Sequence, residues 1–272
     1  MTYIDELFNL NGKVAVVTGG NGQLGTEYTQ ALAQAGAKVA VFDIQDELNE
    51  SLKKLSESSD IAFYKVDITK KEEIKDALNQ IESLWSVPNI LINNAALDSP
   101  PGAGAGDENK SLEDYSKESW DAVWGVNVTG TFLCSQVIGA RMAENGGGSI
   151  INISSHYGLV SPDQRVYKYR EKKGEPFVKP ISYSATKSAI LNLTRYLAAY
   201  WGDKSVRVNS LAPGGVFNNQ DEEFLQEYNK RVPLGRMAKS NEYNGAILFL
   251  SSDASSYVTG SILVADGGYT AW

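Results

Sequence analysis

The chain has 272 residues and a formal charge of -8, from 25 basic and 33 acidic side chains, and 42% of its residues are hydrophobic. This composition is typical of an ordered globular protein and excludes a disordered chain. Cys134 is the one cysteine and cannot close an internal disulfide, and residues 1–13 lack the basic and apolar regions of a secretory signal, so we expect a cytoplasmic protein. The sequence has no apolar run of about 18 residues and no basic patch on a predicted helix, so we expect no membrane or nucleic-acid partner.

Short runs rich in Val and Ile alternate along the chain with segments of helical periodicity. The runs are typical of buried strands and span residues 13–17, 38–42, 62–66, 90–92, 149–153, 207–212 and 262–264. The helical segments span residues 25–35, 46–58, 70–83, 119–143, 182–201 and 241–251. This alternation predicts a single domain over residues 1–272 with an α/β fold of the Rossmann type, in which a doubly wound parallel sheet of about seven strands has helices on both faces.

Three long loops interrupt the alternation, at residues 97–112, 161–180 and 214–236. In an open parallel sheet, ligands bind in the crevice beyond the carboxyl ends of the strands. Long loops in a compact domain are often functional. We therefore expect the second and third of these segments to border a substrate.

A glycine-rich turn follows the first predicted strand. The sequence TGGNGQLG, residues 18–25, places Gly19, Gly22 and Gly25 directly before a predicted helix. Glycine lets the chain turn sharply there and lets backbone amides approach a pyrophosphate. Asp43 ends the next predicted strand, where a carboxylate accepts hydrogen bonds from the ribose hydroxyls of adenosine. This context predicts a dinucleotide site, and a tight turn that binds nothing is the alternative.

Asp43 also bears on the choice of cofactor. Its negative charge would repel the 2′-phosphate of NADP, and no Lys or Arg occurs in residues 14–37 or 43–52 to neutralise that phosphate. We therefore predict NAD as the cofactor, with NADP disfavoured. A role for Asp43 as the cap of the following helix is the alternative.

Tyr183 and Lys187 are four residues apart in a predicted helix and therefore share one of its faces. An ammonium beside a phenol stabilises the phenolate, so we expect Lys187 to lower the pKa of Tyr183 toward neutrality. A tyrosine of that kind can act as a general acid and base.

Seven motifs, in chain order, resemble those of classical short-chain dehydrogenases/reductases. They are TGGNGQLG, Asn93-Asn94-Ala95, Asn127 in NVTG, Ser154-Ser155, YSATK, Ala212-Pro213-Gly214, and YVTG followed by DGG. The resemblance extends from about Gly12 to the C-terminus. It implies an NAD(P)-dependent oxidoreductase that acts on CH–OH groups. It also implies a homo-oligomer, most often a tetramer.

The resemblance implies a role for each matching residue. Tyr183 moves the hydroxyl proton and Ser155 holds the substrate oxygen. Lys187 binds the nicotinamide ribose and tunes Tyr183, and Asn127 fixes a water in the proton relay. The cofactor-binding residues implied in the same way are Gly19, Asn21, Gly22, Gln23, Leu24, Asp43, Ile44, Asp67, Ile68, Asn94, Ala95, Tyr183, Lys187, Pro213, Gly214, Val216 and Asn218.

Two positions depart from the usual pattern of that family. Gly22 and Gln23 give the turn a glycine spacing that resembles the extended, nucleotide-sugar-modifying branch. Asn218 stands where a threonine is usual near the nicotinamide amide, and its own amide can replace that hydroxyl. The glycine spacing leaves open an epimerase or dehydratase that reduces and reoxidises NAD within one turnover. A non-catalytic dinucleotide-binding module is a further alternative.

The interval between Ser155 and Tyr183 is longer than is usual in the family, so residues 161–180 form an insertion beside the active site. The insertion has six basic and three acidic side chains, a local charge of +3. This charge predicts an anionic substrate contacted by Arg165, with Lys168 as a second candidate, and a solvated surface loop is the alternative. Phe217 and the single histidine, His156, are further substrate candidates, and we expect no metal site.

Three sequences resemble a narrower group, the dehydrogenases of the flagellin-modification and legionaminic-acid type that help to make bacterial surface sugars. They are SPDQRVY at the start of the insertion, GGVFNNQ after Pro213, and residues 232–237. This narrower resemblance implies a sugar, amino sugar or sugar phosphate as the substrate, in nonulosonate biosynthesis. Polyol and gluconate dehydrogenases share much of the pattern and are the alternative.

Overall fold

The computed structural model describes residues 2–98 and 111–272, which form one sheet of seven parallel strands. The strands are β1 (Val14–Thr18), β2 (Lys38–Asp43), β3 (Ile61–Lys65), β4 (Ile90–Asn93), β5 (Gly148–Ile153), β6 (Val206–Pro213) and β7 (Ile262–Ala265). Their order across the sheet is β3-β2-β1-β4-β5-β6-β7. The direction of winding reverses between β1 and β4, which places a ligand crevice at the carboxyl ends of these strands. The predicted single-domain α/β fold of the Rossmann type is confirmed.

Helices cover both faces of the sheet. They are α1 (Tyr3–Phe8), α2 (Gln23–Gln34), α3 (Glu50–Ser56), α4 (Lys71–Leu84), α5 (Lys117–Trp124), α6 (Thr131–Cys134), α7 (Ala140–Glu144), α8 (Lys168–Lys172), α9 (Ile181–Trp201), α10 (Glu222–Asn229) and α11 (Asn244–Ser251). Within residues 2–98 and 111–272, none of the helices is long and apolar enough to cross a membrane.

All five residues of β1 are buried, because each face of the strand meets a helical layer. Val14 and Val16 pack on one face in a cluster with residues of α4 and α9. Ala15 and Val17 pack on the other face with residues of α2 and α11. A sheet that is buried on both faces needs a continuous apolar run rather than alternation, and this need explains the Val-rich pattern of the sequence.

One helix of the structure is not predicted from the sequence, and another begins later than predicted. The sequence analysis does not predict α1, which has only six residues, none of them buried. It begins with a capping box, in which the side chains of Thr2 and Asp5 each accept a hydrogen bond from the other's backbone N–H. The helix predicted from residue 46 begins only at Glu50, because Asn49 Oδ1 accepts a hydrogen bond from Leu52 N at 3.0 Å and caps α3.

The single long helix predicted over residues 119–143 is helical from α5 to α7 but is not α-helical throughout. π-helical turns at Gly125–Gly130 and Ser135–Gly139 interrupt it. Asn127 lies in the first of these turns and is buried. π-Helical turns inside α-helices occur frequently at functional sites.

The insertion at residues 161–180 is folded and packed. It contains a 3₁₀ turn (Gln164–Tyr167) and α8. Tyr167 stacks on Phe224 of α10, with ring centroids 5.6 Å apart, and both belong to an aromatic cluster that joins the insertion to residues 214–236. The two predicted loops therefore support each other at the carboxyl edge of the sheet. Most of the first predicted loop, at residues 97–112, lies outside the described residues.

The turn between β1 and α2 is packed too closely for a side chain at Gly25. A Cβ atom there would lie 2.1 Å from the carbonyl oxygen of Gly19 and 2.7 Å from the Cα of Gly20. Both neighbours are backbone atoms and cannot rotate away. A Cβ atom at Gly245, in the first turn of α11, would meet no heavy atom within 4 Å.

We therefore expect Gly25→Ala to lower the free energy of unfolding by about 1 to 3 kcal/mol, the usual cost of over-packing. Gly245→Ala is the matched control and should be neutral or stabilising by up to about 1 kcal/mol, because alanine favours a helix over glycine. Urea unfolding of both variants measures the difference. Equal effects of the two substitutions would contradict the close packing described here.

Candidate active site

Two adjoining cavities lie at the carboxyl edge of the sheet. The first, here called the Asp43 cavity, has a volume of about 520 Å³ and extends from the glycine-rich turn over the ends of β2 and β3. The second, the Tyr183 cavity, has a volume of about 330 Å³ and extends from the same turn to α9 and α10. They share a wall made of Gln23, Leu24, Asn94, Ala96 and Asp98. The two cavities together form one elongated cleft.

Most of the residues predicted from the sequence line this cleft. Those on the Asp43 cavity are Gly19, Gly22, Gln23, Leu24, Asp43, Ile44, Asp67, Ile68, Asn94 and Ala95. Those on the Tyr183 cavity are Gln23, Leu24, Asn94, Ser155, His156, Tyr183, Lys187, Pro213, Gly214, Val216 and Asn218. The predicted residues that line neither cavity are Asn21, Asn127, Arg165, Lys168 and Phe217.

Asp43 is held in a fixed position at the end of β2. Its carboxylate accepts hydrogen bonds from Asn21 N at 3.0 Å and from Gln45 N at 3.2 Å, and 8% of the residue is exposed. Because Asn49 caps the following helix, the alternative role of Asp43 as that cap is wrong. Asn21 therefore contributes indirectly, by fixing the carboxylate with its backbone N–H.

The glycine-rich turn is tied to the end of β4. Thr18 Oγ1 accepts hydrogen bonds from Asn94 N at 3.0 Å and from Ala95 N at 3.1 Å, and Asn94 Nδ2 donates to the carbonyl oxygens of Thr18 and Gly19. Gly19 has φ +60°, and a Cβ atom on it would lie 2.8 Å from Ala95 Cα. The chain is therefore drawn against β4, and Gly22 lines the Asp43 cavity without a side chain, which suits the close approach of a pyrophosphate.

Tyr183 and Lys187 lie on one face of α9, as predicted. The Lys187 ammonium is 5.7 Å from the centre of the Tyr183 ring and donates a hydrogen bond to Ile153 O at 2.8 Å. Burial lowers the pKa of Lys187 to about 8. Burial, together with the nearby Asp98 carboxylate, raises the pKa of Tyr183, although the Ser155 hydroxyl opposes this change. The expected shift of the Tyr183 pKa toward neutrality is therefore wrong for the chain alone, because desolvation outweighs the ammonium.

Ser155 lines the same cavity as Tyr183 and also has a structural task. Its Oγ atom accepts a hydrogen bond from Tyr157 N at 3.1 Å and caps the short 3₁₀ helix His156–Gly158. The cap holds the hydroxyl at the floor of the cavity. Ser155 is therefore a helix cap, and this structural role is compatible with a role in the site.

Asn127 is buried behind the cleft, where its amide bridges two elements. Asn127 Oδ1 accepts a hydrogen bond from Leu97 N at 2.8 Å, and Asn127 Nδ2 donates to Thr186 Oγ1 at 3.0 Å. The side chain therefore ties the segment after β4 to the first turns of α9, close to Tyr183. The role in a proton relay stays a prediction.

His156 lies inside the aromatic cluster at the inner end of the Tyr183 cavity. Its Nδ1 atom is 3.2 Å from Pro213 O, which can only accept, so we assign the ring proton to Nδ1. Its Nε2 atom then accepts from Tyr228 Oη at 3.3 Å, and Tyr228 Oη accepts from Gly215 N at 2.9 Å. Burial lowers the pKa of His156 to about 4. A neutral histidine therefore braces the turn after β6.

The structure does not bring Arg165 to the cleft. Its side chain is 74% exposed and both of its hydrogen-bonding nitrogens contact Asp163, which also pairs with Arg231. Phe217 is 46% exposed, and its carbonyl oxygen accepts a hydrogen bond from Gln23 Nε2 at 2.9 Å across the mouth of the cleft. The predicted contact of Arg165 with an anionic substrate has no support in this arrangement.

The Tyr183 cavity has further lining residues that the sequence analysis does not single out. Asp98 and Lys179 are charged, and the uncharged ones include Tyr157, Tyr167, Gln220, Phe224 and Tyr228. The one signal for Lys179 is its membership of the basic insertion, which does not separate it from the five other cations there. The aromatic residues are found through the packing of two loops that are distant in sequence.

Comparisons with known proteins agree with this geometry. A family model described as enoyl-(acyl carrier protein) reductase matches residues 21–270. The chain is 31% identical over 271 residues to an NAD-dependent glycerol dehydrogenase of Listeria innocua, with 98% of this chain and 97% of that protein covered. It is 32% identical over 273 residues to a gluconate 5-dehydrogenase of Gluconobacter oxydans, with 97% of each covered.

Two solved structures are similar over nearly their whole length. One is a gluconate 5-dehydrogenase from Burkholderia cenocepacia in complex with NADP and tartrate, with a TM-score of 0.85, 28% identity, and 99% of this chain and 100% of that chain covered. The other is a short-chain dehydrogenase from Leptospira borgpetersenii with bound NAD+, with a TM-score of 0.85, 33% identity, and 99% and 96% covered. The chain belongs to the short-chain dehydrogenase/reductase family and is an oxidoreductase that acts on CH–OH groups.

The buried neutral state of His156 predicts a pH dependence of stability. Histidine in the unfolded chain has a pKa near 6.5, whereas that of His156 in the folded chain is about 4, so the unfolded state binds more protons between these values. The stability that comes from burying neutral His156 should therefore be fully present above pH 6.5. As the pH is lowered, the free energy of unfolding should decrease, by about 2 kcal/mol between pH 7 and pH 5.

Urea unfolding at the two pH values measures this loss in the native chain and in His156→Gln. Because His156 is the single histidine, the variant should lose much less stability over the same interval. An equally steep decrease in the variant would assign the proton uptake to other groups.

Proposed function

We propose that the chain is an NAD-dependent dehydrogenase that interconverts an alcohol and a ketone on a polyol or sugar. The observation that carries the proposal is the position of Tyr183. Its phenol lies on the wall of a cavity with Ser155 and Lys187, and this cavity continues into one that ends at Asp43. The named activities of the glycerol and gluconate dehydrogenases above support a polyhydroxy substrate.

The cleft suits a nicotinamide dinucleotide in its length and chemistry. The backbone at Gly22, which lines the cavity without a side chain, fits a pyrophosphate, and the Asp43 carboxylate fits the two hydroxyls of an adenosine ribose. Asp67 and Ile68 border the place of the adenine ring, and Pro213, Gly214, Val216 and Asn218 border the place of the nicotinamide. We favour NAD over NADP because the carboxylate of Asp43 would meet the 2′-phosphate. The bound cofactor supplies the hydride acceptor or donor.

The chain's own residues manage the proton. In reduction, Tyr183 Oη gives its proton to the carbonyl oxygen of the substrate, and in oxidation its phenolate form accepts the proton of the substrate hydroxyl. Ser155 Oγ is placed to hold the same oxygen. Lys187 has a pKa of about 8 and is mostly charged at neutral pH, so it stabilises the phenolate form of Tyr183 while the proton is away. Because its pKa is raised, Tyr183 is a phenol in the resting chain, which is the form that reduction needs. Oxidation begins only after this phenol has lost its proton to water.

The predicted biological role in making surface sugars has no support from the four proteins named above. A polyol or gluconate substrate agrees better with the names of those proteins. The alternative of an epimerase or dehydratase without net turnover of NAD is tested by measuring NADH formation, because only a dehydrogenase accumulates NADH.

We also propose a homo-oligomer, since Tyr196 and Tyr200 on α9 are 63% and 59% exposed and their rings stack with centroids 6.1 Å apart. Light scattering tests this expectation.

Replacement of Tyr183 by phenylalanine removes only the hydroxyl that moves the proton. We expect Tyr183→Phe to lower turnover by about a hundredfold or more while NAD affinity stays nearly unchanged. NADH formation with a panel of polyols, sugars and amino sugars measures the turnover. Tyr3→Phe, at an exposed position in α1, is the control and should keep full activity. Activity that survives in Tyr183→Phe would show that the proton donor is another group.

Removal of the charge at Asp43 tests the cofactor preference. We expect the native chain to bind NAD about a hundredfold more tightly than NADP, since an unpaired charge clash costs a few kcal/mol. Asp43→Asn keeps an acceptor oxygen for the turn and should narrow this ratio. Glu47→Gln is the control, because its carboxylate is 74% exposed and faces Lys53. Equal affinities for the two cofactors in the native chain would contradict the proposal.

A further inference from the structure

An ion pair stands inside the Tyr183 cavity, and the proton transfer described above does not use it. The Lys179 ammonium contacts the Asp98 carboxylate, and both residues line the cavity. The Lys179 side chain is 5% exposed, whereas that of Asp98 is 41% exposed. The ammonium also lies 4.5 Å from the centre of the Tyr183 ring. A buried charge this close to the reacting hydroxyl is within reach of the substrate.

The position of Lys179 is fixed by its backbone. Gln164 Nε2 donates to Lys179 O at 3.1 Å, and Lys179 N donates to Gln164 Oε1 at 2.9 Å. Pro180 follows directly as the N-cap residue of α9, the helix that carries Tyr183. The ammonium and the phenol are therefore held at a set separation, and the insertion serves to place the ammonium there.

The pairing decides which polar groups this part of the cavity accepts. A substrate carboxylate that approached Lys179 would have to displace Asp98 or lie beside it, and two carboxylates in a part-buried site repel each other. Two neighbouring hydroxyls meet no such barrier. One accepts a hydrogen bond from the ammonium and the other donates to the carboxylate, and the ion pair stays intact.

The rest of the wall agrees with a neutral polyol. Tyr167, Phe224 and Tyr228 offer aromatic surface to the carbon chain, and Gln220 offers an amide. The other ammonium that lines the cavity, Lys187, donates to Ile153 O and lies next to Tyr183, where the reacting carbon is placed.

We propose that the Asp98–Lys179 pair binds two neighbouring hydroxyls of the substrate and thereby selects neutral polyols over aldonates. The proposal rests on the proposed dehydrogenase function and narrows its substrate class. It also replaces the anionic substrate that the net charge of residues 161–180 predicts.

The test compares sorbitol with gluconate, which have the same number of carbons and differ in a terminal carboxylate. Binding is measured by calorimetry in the NAD-loaded Tyr183→Phe variant, so that the result does not depend on turnover. We expect sorbitol to bind about tenfold more tightly or better, as one charge-assisted hydrogen bond allows. A preference for gluconate, or no binding of either compound, would overturn the proposal.

Three further substitutions in that background separate the pair from other effects. Asp98→Asn leaves the ammonium without this carboxylate and should shift the ratio toward gluconate by about tenfold. Lys179→Met keeps the length of the side chain and should weaken sorbitol binding by a similar factor. Lys172→Met replaces an exposed lysine of the same insertion and should change neither affinity. A ratio that stays the same in Asp98→Asn would overturn the proposal.

A separate assay measures NADH formation from sorbitol and from gluconate by the native chain, in which Tyr183 is intact. If the pair controls binding as expected but neither compound is oxidised, the dehydrogenase function proposed for this cleft fails while the assignment of the diol site stands. If sorbitol is oxidised and the pair has no effect on either affinity, the dehydrogenase function stands and the diol site fails.

Discussion

The cleft depends on how closely the turn after β1 packs against the end of β4. Gly19 lies so near Ala95, and Gly25 so near Gly19, that a methyl group at either glycine would overlap backbone atoms. The Thr18 hydroxyl adds two hydrogen bonds from the backbone of β4's continuation. These contacts bring the N-terminus of α2 to the mouth of the crevice. Both cavities border this turn, so its packing determines whether cofactor and substrate can meet.

A second set of contacts fixes the reacting side chains relative to the sheet. Ser154 Oγ donates to Lys187 O at 2.7 Å, Lys187 Nζ donates to Ile153 O at 2.8 Å, and Ser188 Oγ donates to Gly158 O at 2.8 Å. Each bond joins α9 to the end of β5 or to the turn that follows it. The buried polar groups are thus partnered, as their burial requires. Their register sets the distance between the Tyr183 phenol and the Ser155 hydroxyl.

The sequence predicts the sheet and the cleft residues well because their signals are local. Buried strands have continuous apolar runs, and the glycine turn and the Tyr183–Lys187 pair are short motifs with fixed spacing. Two kinds of feature are missed. α1 has six residues, fewer than two helical turns, so its sequence is too short to show a clear period. The raised pKa of Tyr183 follows from burial by residues far away in sequence, and a spacing of four residues reveals the ammonium but not the desolvation.

The charge of the insertion is a second property whose effect on the site cannot be predicted from the sequence alone. The net charge of residues 161–180 suggests an anionic substrate, but three of its cations are paired with carboxylates outside the cleft: Arg165 with Asp163, Arg170 with Glu175 and Lys173 with Glu223. Exposed charges are screened over about 8 to 10 Å at physiological salt, so they contribute little to selection inside a cavity. Lys179 differs because its buried side chain lines the Tyr183 cavity, and a buried ammonium needs a counter-charge such as Asp98. The burial that brings the cation to the substrate therefore also brings the carboxylate that turns the preference from anions to neutral hydroxyls.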